Sequence, residues 1–176
     1  EDSETKKNIN IAMRACATYS TSNQWRRGEG LILCGSVGVG KTRSAICILK
    51  TIIDSNFGVK GIFMKIDNLA DRIIREDNQR GYIESLLKYD IVVIDDMDRI
   101  PTDKEWMRGQ VFGLYDKLIQ KNIPIIGTTN LSGIKQLKEK FEPAIISRLI
   151  GACNLINFGG DQNNDYRILR KVYGQS

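Results

Sequence analysis

The sequence contains no histidine among its 176 residues. Histidine-dependent triads, imidazole general bases and histidine metal ligands are therefore excluded, so acid–base chemistry must use carboxylates, lysine or tyrosine. The four cysteines, Cys16, Cys34, Cys47 and Cys153, form no CxxC pair, which argues against a zinc or thiol redox motif. No segment approaches the roughly 18 consecutive apolar residues of a membrane helix, and the charged start is unlike a signal peptide. We expect a reduced, cytoplasmic protein without a membrane partner.

The composition favours one domain with its own hydrophobic core. Apolar residues make up 41% of the chain, which suffices to bury a core without disulfides or metals. The 26 Lys and Arg residues exceed the 21 Asp and Glu residues, giving a formal net charge of +5. This excess favours a polyanionic partner, although a solvated basic surface would give the same value.

Short apolar segments alternate along the chain with longer segments of helical periodicity. The predicted strands are 31–34, 60–66, 91–95, 123–128 and 154–158. The predicted helices are 4–20, 41–54, 68–75, 82–89, 104–120 and 132–140, with a last one ending near Tyr173. Such alternation is typical of a parallel sheet with helical crossovers.

We divide the chain into an N-terminal helix and linker, residues 1–28, and an α/β core, residues 29–176. The abrupt charged start is compatible with a fragment of a longer protein. Within the linker, Trp25-Arg26-Arg27 is expected either to pack beside an adenine or only against neighbouring linker residues.

Residues 35–42 match the phosphate-loop (Walker A) pattern G-x-x-x-x-G-K-[ST], between a predicted strand and a predicted helix. Glycines let the backbone wind around a phosphate, so that N–H groups and the helix N-terminus face the negative charge. Lys41 is expected to reach the β and γ phosphates, and Thr42 to give a hydroxyl to Mg²⁺. The predicted nucleotide-binding residues are Gly35, Ser36, Val37, Gly38, Val39, Gly40, Lys41, Thr42 and Arg43. The sequence therefore predicts a site for ATP or ADP with Mg²⁺.

The segment 91–96, IVVIDD, is a Walker B pattern: a doubly buried strand that ends in two carboxylates. Asp95 is expected to hold Mg²⁺ through its water shell, and Asp96 to polarise the attacking water. A helix N-cap or a surface ion pair is the alternative for Asp96. Asn130, at the polar end of the next strand, is expected beside these acids, where it would orient water or sense the γ-phosphate. Alternatively, it only caps the helix that follows.

In their order and spacing these motifs resemble the AAA+ ATPases. Thr129-Asn130, Ser147-Arg148-Leu149 and Asp165-Tyr166-Arg167 more narrowly resemble the DnaC/DnaI helicase loaders and the related IstB-type transposition ATPases. The resemblance implies a three-layer α/β P-loop NTPase domain of the AAA+ type with a central parallel sheet. The short remaining stretch implies that the C-terminal lid domain of larger members is absent.

The resemblance also assigns roles to two arginines. Arg148 matches an arginine that reaches the γ-phosphate bound by a neighbouring subunit, which implies a homo-oligomer with composite ATP sites and assembly-dependent hydrolysis. An intramolecular ion pair with Glu139 or Glu142 is the alternative. Arg167 matches a terminal arginine that acts as a second sensor, with a solvated helix face as its alternative.

A nucleic-acid surface is predicted between the second and third strands, where relatives of this clade carry extra helices that line the path of single-stranded DNA. The candidate phosphate-binding residues are Arg72, Arg75, Arg80 and Lys88. Acidic residues interleave with these bases, so a solvated mixed-charge face is the alternative.

The resemblance implies an ATP-hydrolysing AAA+ domain that delivers a replicative DNA helicase to single-stranded DNA. Many AAA+ enzymes carry Glu where this chain has Asp96, and the shorter side chain predicts slow hydrolysis and a nucleotide switch more than a motor. The alternatives are an IstB-like transposition helper acting on duplex DNA, a P-loop small-molecule kinase, and an adaptor that binds nucleotide without hydrolysing it.

Overall fold

The computed structural model describes residues 2–75, 79–100 and 105–159, without the side chains of residues 2–5, 70–71, 73–75 and 79–80. Its helices are α1 (Asp2–Thr21), α2 (Lys41–Ser55), α3 (Ile66–Arg75), α4 (Gln79–Leu86), α5 (Glu105–Gln120), α6 (Ile134–Lys140) and α7 (Pro143–Ala152). Its strands are β1 (Gly30–Cys34), β2 (Gly61–Lys65), β3 (Ile91–Asp95), β4 (Ile125–Thr128) and β5 (Cys153–Asn157). A 3₁₀ turn, Trp25–Arg27, precedes β1.

The five strands form one parallel sheet in the order β2-β3-β4-β1-β5. Because all strands point the same way, the segments that follow them meet at one edge of the sheet, the carboxyl edge. The opposite edge, where the strands begin, is called the amino edge below. Since β4 lies between β1 and β3, the residues after β4 lie between those after the other two strands.

Both faces of the sheet are covered, and alternate strand residues enter separate cores. Leu31 and Leu33 of β1 pack with buried residues of α1 and α2, whereas Ile32 packs with buried residues of the helices on the other face. In the same way, Val92 and Val93 of β3 enter opposite cores. Burial on both faces explains the continuous apolar sequences of these strands. The predicted three-layer α/β fold is confirmed.

Helix α1 packs along α2 and the edge strand β5. Its residues Ala12, Cys16 and Tyr19 recur at helical spacing and are buried. The Tyr19 hydroxyl donates a hydrogen bond to the backbone oxygen of Glu29, at 2.6 Å. The helix therefore adds buried residues to the core between α2 and the sheet.

Most predicted elements are present, with shifted ends. Ile66 was expected to end a strand, but it begins α3 directly after β2. The helix predicted over 82–89 lies earlier, at Gln79–Leu86, and the strands predicted to start at 123 and 154 start at 125 and 153. Helix α7 was not predicted, although Pro143 at its first turn and the spacing of its apolar residues are helix signals. The helix predicted to end near Tyr173 lies outside the described residues.

Candidate nucleotide site

The phosphate loop connects β1 to α2 at the carboxyl edge. Its three glycines, Gly35, Gly38 and Gly40, have φ angles of 132°, 84° and 100°. Residues other than glycine rarely adopt such positive φ angles. A Cβ atom on Gly35 would also come within 2.9 Å of the Gly159 backbone oxygen. The Ser36 N–H donates to that same oxygen at 3.2 Å, so the loop is fastened to the segment that follows β5.

The loop leads into the positive end of a helix. Val39 is buried in the core beneath α2, which anchors the loop, whereas Val37 and Arg43 are exposed. The backbone N–H groups in the first turn of α2 lie beyond the reach of any intrahelical acceptor. Together with the helix dipole, they form a site that favours phosphate.

Lys41 is almost fully buried, with 6% of its surface exposed. Its ammonium donates to the backbone oxygens of Gly35 (2.8 Å) and Ser36 (2.6 Å) and to Oδ1 of Asn130 (3.0 Å). Burial lowers the pKa of Lys41, and the nearby carboxylates of Asp96, Asp98 and Asp95 oppose that shift. Among the described residues, the ammonium donates hydrogen bonds to neutral oxygens only, and a bound phosphate would supply an anionic partner.

Thr42 and Asp95 lie together on the other side of the loop. The Thr42 hydroxyl donates to Oδ1 of Asp95 at 2.7 Å, and the buried Thr128 hydroxyl donates to the same oxygen at 2.6 Å. A hydroxyl and a carboxylate oxygen are the ligand types that Mg²⁺ prefers, and Mg²⁺ keeps several waters when few protein ligands are present. Thr42 and Asp95 thus fit a magnesium ion that is completed by phosphate and water.

Asp96 and Asn130 lie beside this pair. The backbone of Asp96 is left-handed, with φ of 56°, a conformation that Asp and Asn tolerate better than longer side chains. Oδ1 of Asp96 is 3.5 Å from Nδ2 of Asn130, and Oδ2 is 3.7 Å from Nε of Arg99. Because Asn130 also contacts Lys41, its amide bridges the phosphate-loop lysine and the second Walker B carboxylate.

Two residues of this network were not predicted. Thr128, the last residue of β4, accepts the Asp96 N–H at 2.9 Å while it donates to Asp95, so it joins the two carboxylate residues. Asp98 accepts the Asn130 N–H at 3.3 Å and fixes the start of the segment after β4. The signal for Asp98 was present in the sequence as a third acid close to Asp95 and Asp96. A threonine at a strand end gives no comparable signal.

Of the two predicted arginines, only Arg148 lies within the described residues, and it is apart from this network. Arg148, on α7, contacts Asp116 of α5, which also accepts a hydrogen bond from Gln120 at 2.9 Å. The partner is therefore Asp116, and neither Glu139 nor Glu142. Half of the Arg148 side chain is exposed. Arg167 lies outside the described residues.

The predicted nucleic-acid residues are divided between two places. Arg72 of α3 is exposed and lies over the ring of Tyr82 in α4, with Cζ 5.8 Å from the ring centre. Arg75 and Arg80 lie in α3 and α4, and their side chains are outside the described part. Lys88 follows α4 and lines a cavity at the amino edge.

Trp25 also lies at the amino edge. It is buried in the core beneath α1 and α2 before β1 begins, whereas the phosphate loop follows β1. The expectation that the Trp25 segment packs beside an adenine stays a prediction, since the structure places Trp25 in the core and holds no nucleotide. Trp25 packs against the Arg26 guanidinium of the linker and also against the core residues beneath α1 and α2.

In the described part of the chain, no helix has the length and apolarity needed to cross a membrane. Nor do the described residues contain a cluster of three or more His, Cys, Asp or Glu side chains that could hold a metal ion.

Comparison with known proteins agrees with the geometry of the site. The family model described as "IstB-like ATP binding protein" matches residues 1–172. A curated relative, the insertion sequence IS21 putative ATP-binding protein of Pseudomonas aeruginosa, is 28% identical over 153 residues. The match covers 82% of this chain and 55% of that protein, so the chain spans about half the length of this relative.

Two solved structures share the fold. The DnaC helicase loader superposes with a TM-score of 0.73 at 23% identity, over 84% of this chain and 88% of that one. AMPPCP-bound DnaA from Aquifex aeolicus superposes with a TM-score of 0.68 at 18% identity, over 92% of this chain and 51% of that one. The fold is thus that of the AAA+ domains in these proteins, as the motifs predicted. The match over residues 1–172 shows that the chain belongs to the IstB-like ATP-binding family.

Proposed function

We propose that this chain binds ATP with Mg²⁺ and hydrolyses it slowly, as a nucleotide switch in a DNA-directed assembly. One observation carries the proposal: at the carboxyl edge, Asn130 joins Lys41 of the phosphate loop to Asp96 of Walker B. A site that only bound nucleotide would have no need of a carboxylate and an amide beside the phosphate position. Family membership supports nucleotide binding, and the residues supply the chemistry.

Binding begins with the exchange of partners at Lys41. In the present structure its ammonium is held by two backbone oxygens and the Asn130 amide. When the β and γ phosphates enter, the ammonium turns to them, and the N–H groups at the start of α2 bind the remaining phosphate oxygens. Asn130 is then released from Lys41, which makes its amide responsive to the presence of a γ-phosphate.

Hydrolysis requires an attacking water that is held in line with the γ-phosphate. Asp96 accepts a proton from that water, and Asn130 orients it. Thr42 and Asp95 would hold Mg²⁺, which would neutralise phosphate charge when bound. Since the Asp side chain is short and one oxygen faces Arg99, the water is held loosely in the isolated chain. This favours slow intrinsic turnover.

Arg148 completes the site from a neighbouring subunit. Its contact in the isolated chain is with Asp116, on the exposed side of α5 and α7 and not at the phosphate loop. A guanidinium delivered to the γ-phosphate by another copy accelerates phosphoryl transfer by roughly 10³ to 10⁵ in well-studied GTPases. Assembly would therefore control hydrolysis, and the chain would act as a homo-oligomer with composite sites.

Two roles on DNA are compatible with such a nucleotide switch. In the first, the chain is a helicase loader that places a replicative helicase on single-stranded DNA, in keeping with the loader-like motifs Thr129-Asn130 and Ser147-Arg148. In the second, it is a transposition helper that acts on duplex DNA, which the IS21 relative supports. None of the relatives described above is a small-molecule kinase, and that reading leaves Asn130 and Arg148 without a role.

The preference for one DNA form tests the two candidates. The anisotropy of fluorescently labelled single-stranded and duplex DNA is measured against the chain at fixed low salt, with ADP and with a non-hydrolysable ATP analogue. Preference for single strands with the ATP analogue supports the loader, and preference for duplex supports the transposition helper. The Lys41→Ala variant is the matched control, since it should lose the difference between the two nucleotides. Equal DNA binding with both nucleotides in the wild-type chain would contradict the switch.

A further inference from the structure

A cavity of about 440 Å³ opens at the amino edge, one strand length from the nucleotide site. The segments that lead into β1, β2, β3 and β4 form its wall. Its lining includes three cationic residues, one carboxylate and two aromatic rings: Arg26, Lys88, Lys121, Asp90, Trp25 and Tyr89. The volume exceeds the lower bound of about 300 Å³ that is typical for ligand pockets.

The charge of this cavity is positive and largely uncompensated. Lys88 and Lys121 are exposed, and neither forms an ion pair with any described residue. Asp90, the one carboxylate of the lining, accepts the backbone N–H of Lys60 at 2.8 Å. The two lysines therefore have ammonium groups available for an anion.

The cavity wall also carries aromatic rings next to its cations. Arg26 lies over the ring of Trp25, with Cζ 4.4 Å from its centre, and also contacts the side-chain oxygen of Asn56, so this cation is held in place. Tyr89 lies on the wall between Lys88 and Asp90 and is half-buried. Cations combined with an aromatic ring are typical of surfaces on which bases stack while their phosphates are neutralised.

We infer that this amino-edge cavity binds the backbone of single-stranded DNA, with Lys88 and Lys121 on phosphates and Tyr89 against a base. The inference rests on the proposed DNA-directed function and names a contact surface for it. It also moves Lys88 from the α3–α4 surface to a separate site. Because the cavity and the phosphate loop lie at opposite edges of the sheet, DNA and ATP occupy the chain together without competing for residues.

The competing explanation is that the lysines only offset helix dipoles. Lys88 and Lys121 follow the C-terminal ends of α4 and α5, where cations are favourable without any ligand. Helix α6 provides the matched control, since Lys138 and Lys140 are exposed in its last turn. If the dipole explanation were complete, both pairs of lysines would behave alike in DNA binding.

The test compares the full chain, Lys88→Gln/Lys121→Gln and Lys138→Gln/Lys140→Gln, all with the non-hydrolysable ATP analogue and a labelled single-stranded oligonucleotide. The Lys88→Gln/Lys121→Gln variant, called the cavity variant, loses two phosphate contacts. Its affinity for the oligonucleotide should therefore fall by at least about tenfold at low salt. It should also reduce the slope of log affinity against log salt by about 1.4. The α6 variant should keep the wild-type affinity and slope, and both variants should keep the wild-type affinity for nucleotide.

A third variant, Tyr89→Leu, should weaken binding by about fivefold or more with no change in the salt slope, because stacking releases no counterions. Inorganic phosphate at millimolar concentration should not displace the oligonucleotide, which separates a DNA site from a simple phosphate site. If the Lys88→Gln/Lys121→Gln variant keeps the wild-type affinity for the oligonucleotide and the wild-type salt slope, the cavity is not the DNA site. The proposed function would then remain intact. Failure of the wild-type chain to bind any DNA would overturn both.

Discussion

The backbone of Asp96 constrains what this position can do. With φ of 56° it lies in the left-handed region, where Asp and Asn are tolerated and longer residues cost roughly 1 kcal/mol or more. Its N–H is held by the Thr128 hydroxyl at 2.9 Å, so the carboxylate is directed beside Asn130. The local geometry thus favours the shorter acid at this position.

Asp96→Asn should remove hydrolysis and retain nucleotide. Asn keeps the left-handed backbone and the side-chain size but cannot accept the proton of the attacking water. We expect turnover to fall by about 10² or more, with the affinity for labelled ATP analogue nearly unchanged. Phosphate release and nucleotide anisotropy are the measurements. A variant that hydrolyses at the wild-type rate would show that another group activates the water.

Asp96→Glu tests the reach of the carboxylate. The extra methylene should bring the oxygen closer to the attacking water and raise the rate of phosphate release, against a backbone cost of roughly 1 kcal/mol in stability. Urea unfolding measures that cost. If hydrolysis is no faster while the variant is folded, the short side chain is not what makes turnover slow.

The cysteines differ sharply in exposure. Burial raises the pKa of the Cys16 and Cys34 thiols to about 11 and that of Cys153 to about 12, whereas Cys47 is exposed on α2. At pH 8, an alkylating reagent should therefore modify one thiol of the native chain, and all four in denaturant. Mass spectrometry counts the adducts, and Cys47→Ser should give none when native. Rapid modification of Cys16 would contradict the packing of α1.

The buried thiols should also make the free energy of unfolding depend on pH. From about pH 9 to about pH 11, the unfolded chain loses thiol protons that the native chain keeps, so the unfolded state binds fewer protons. The thiol contribution to stability is thus complete below about pH 9 and declines as the pH rises. It follows that the free energy of unfolding should fall over this range, by less in a Cys16→Ala variant.

At the scale of elements, α1 behaves as part of the core. Tyr19 is 2% exposed and joins α1 to the segment before β1 through its hydroxyl. Tyr19→Ala should cost about 3–5 kcal/mol in urea unfolding, because a large buried ring is lost. Tyr19→Phe, which removes only the hydrogen bond, should cost about 1 kcal/mol. Equal stability of the Ala variant and the wild-type chain would show that α1 contributes little to the core.

The elements also show where sequence reasoning succeeded. Strands buried on both faces have continuous apolar sequences, so β1 and β3 could be placed to within a residue. The phosphate loop and the two carboxylates follow those strands directly, and parallel topology brings them to one edge. Asn130 could be placed for the same reason, since it follows β4.

The errors have physical causes. Helix α7 was not predicted because its ten residues follow α6 after a two-residue break, and the periodic signals of two short helices are hard to separate. Asp116 was not anticipated as the partner of Arg148, since the two are far apart in sequence and only the packing of α5 against α7 brings them together.

At the scale of the whole molecule, the proposed catalytic site is incomplete within one copy of the chain, because its arginine is proposed to come from a neighbour. Lys41, Asp95, Asp96 and Asn130 gather at the carboxyl edge, while Arg148 lies on α7, which leads into the edge strand β5. A head-to-tail interface between copies can join two such different surfaces, whereas a two-fold interface pairs each surface with itself. The proposed assembly is accordingly a ring or a filament of this chain.

Mixing two inactive variants tests this arrangement. Asp96→Asn binds nucleotide but lacks the water-activating acid, and Arg148→Ala has an intact loop but no arginine for its neighbour. In a head-to-tail assembly, a site built from the Arg148→Ala loop and the arginine of an Asp96→Asn neighbour is complete. Random mixing in equal amounts should therefore restore about a quarter of the wild-type rate, since each half-site is supplied by the correct variant half of the time.

The control is the Asp96→Asn/Arg148→Ala double variant, which should remain inactive when mixed with either single variant. Because Arg148 pairs with Asp116 in an exposed ion pair, its loss should cost less than about 1 kcal/mol in stability, so misfolding would not explain a loss of hydrolysis. If the Arg148→Ala variant alone hydrolyses ATP at the wild-type rate, Arg148 has no role in hydrolysis. Inactivity of the equal mixture, with both variants folded and assembled, would place Arg148 in its own chain's site and contradict the head-to-tail assembly.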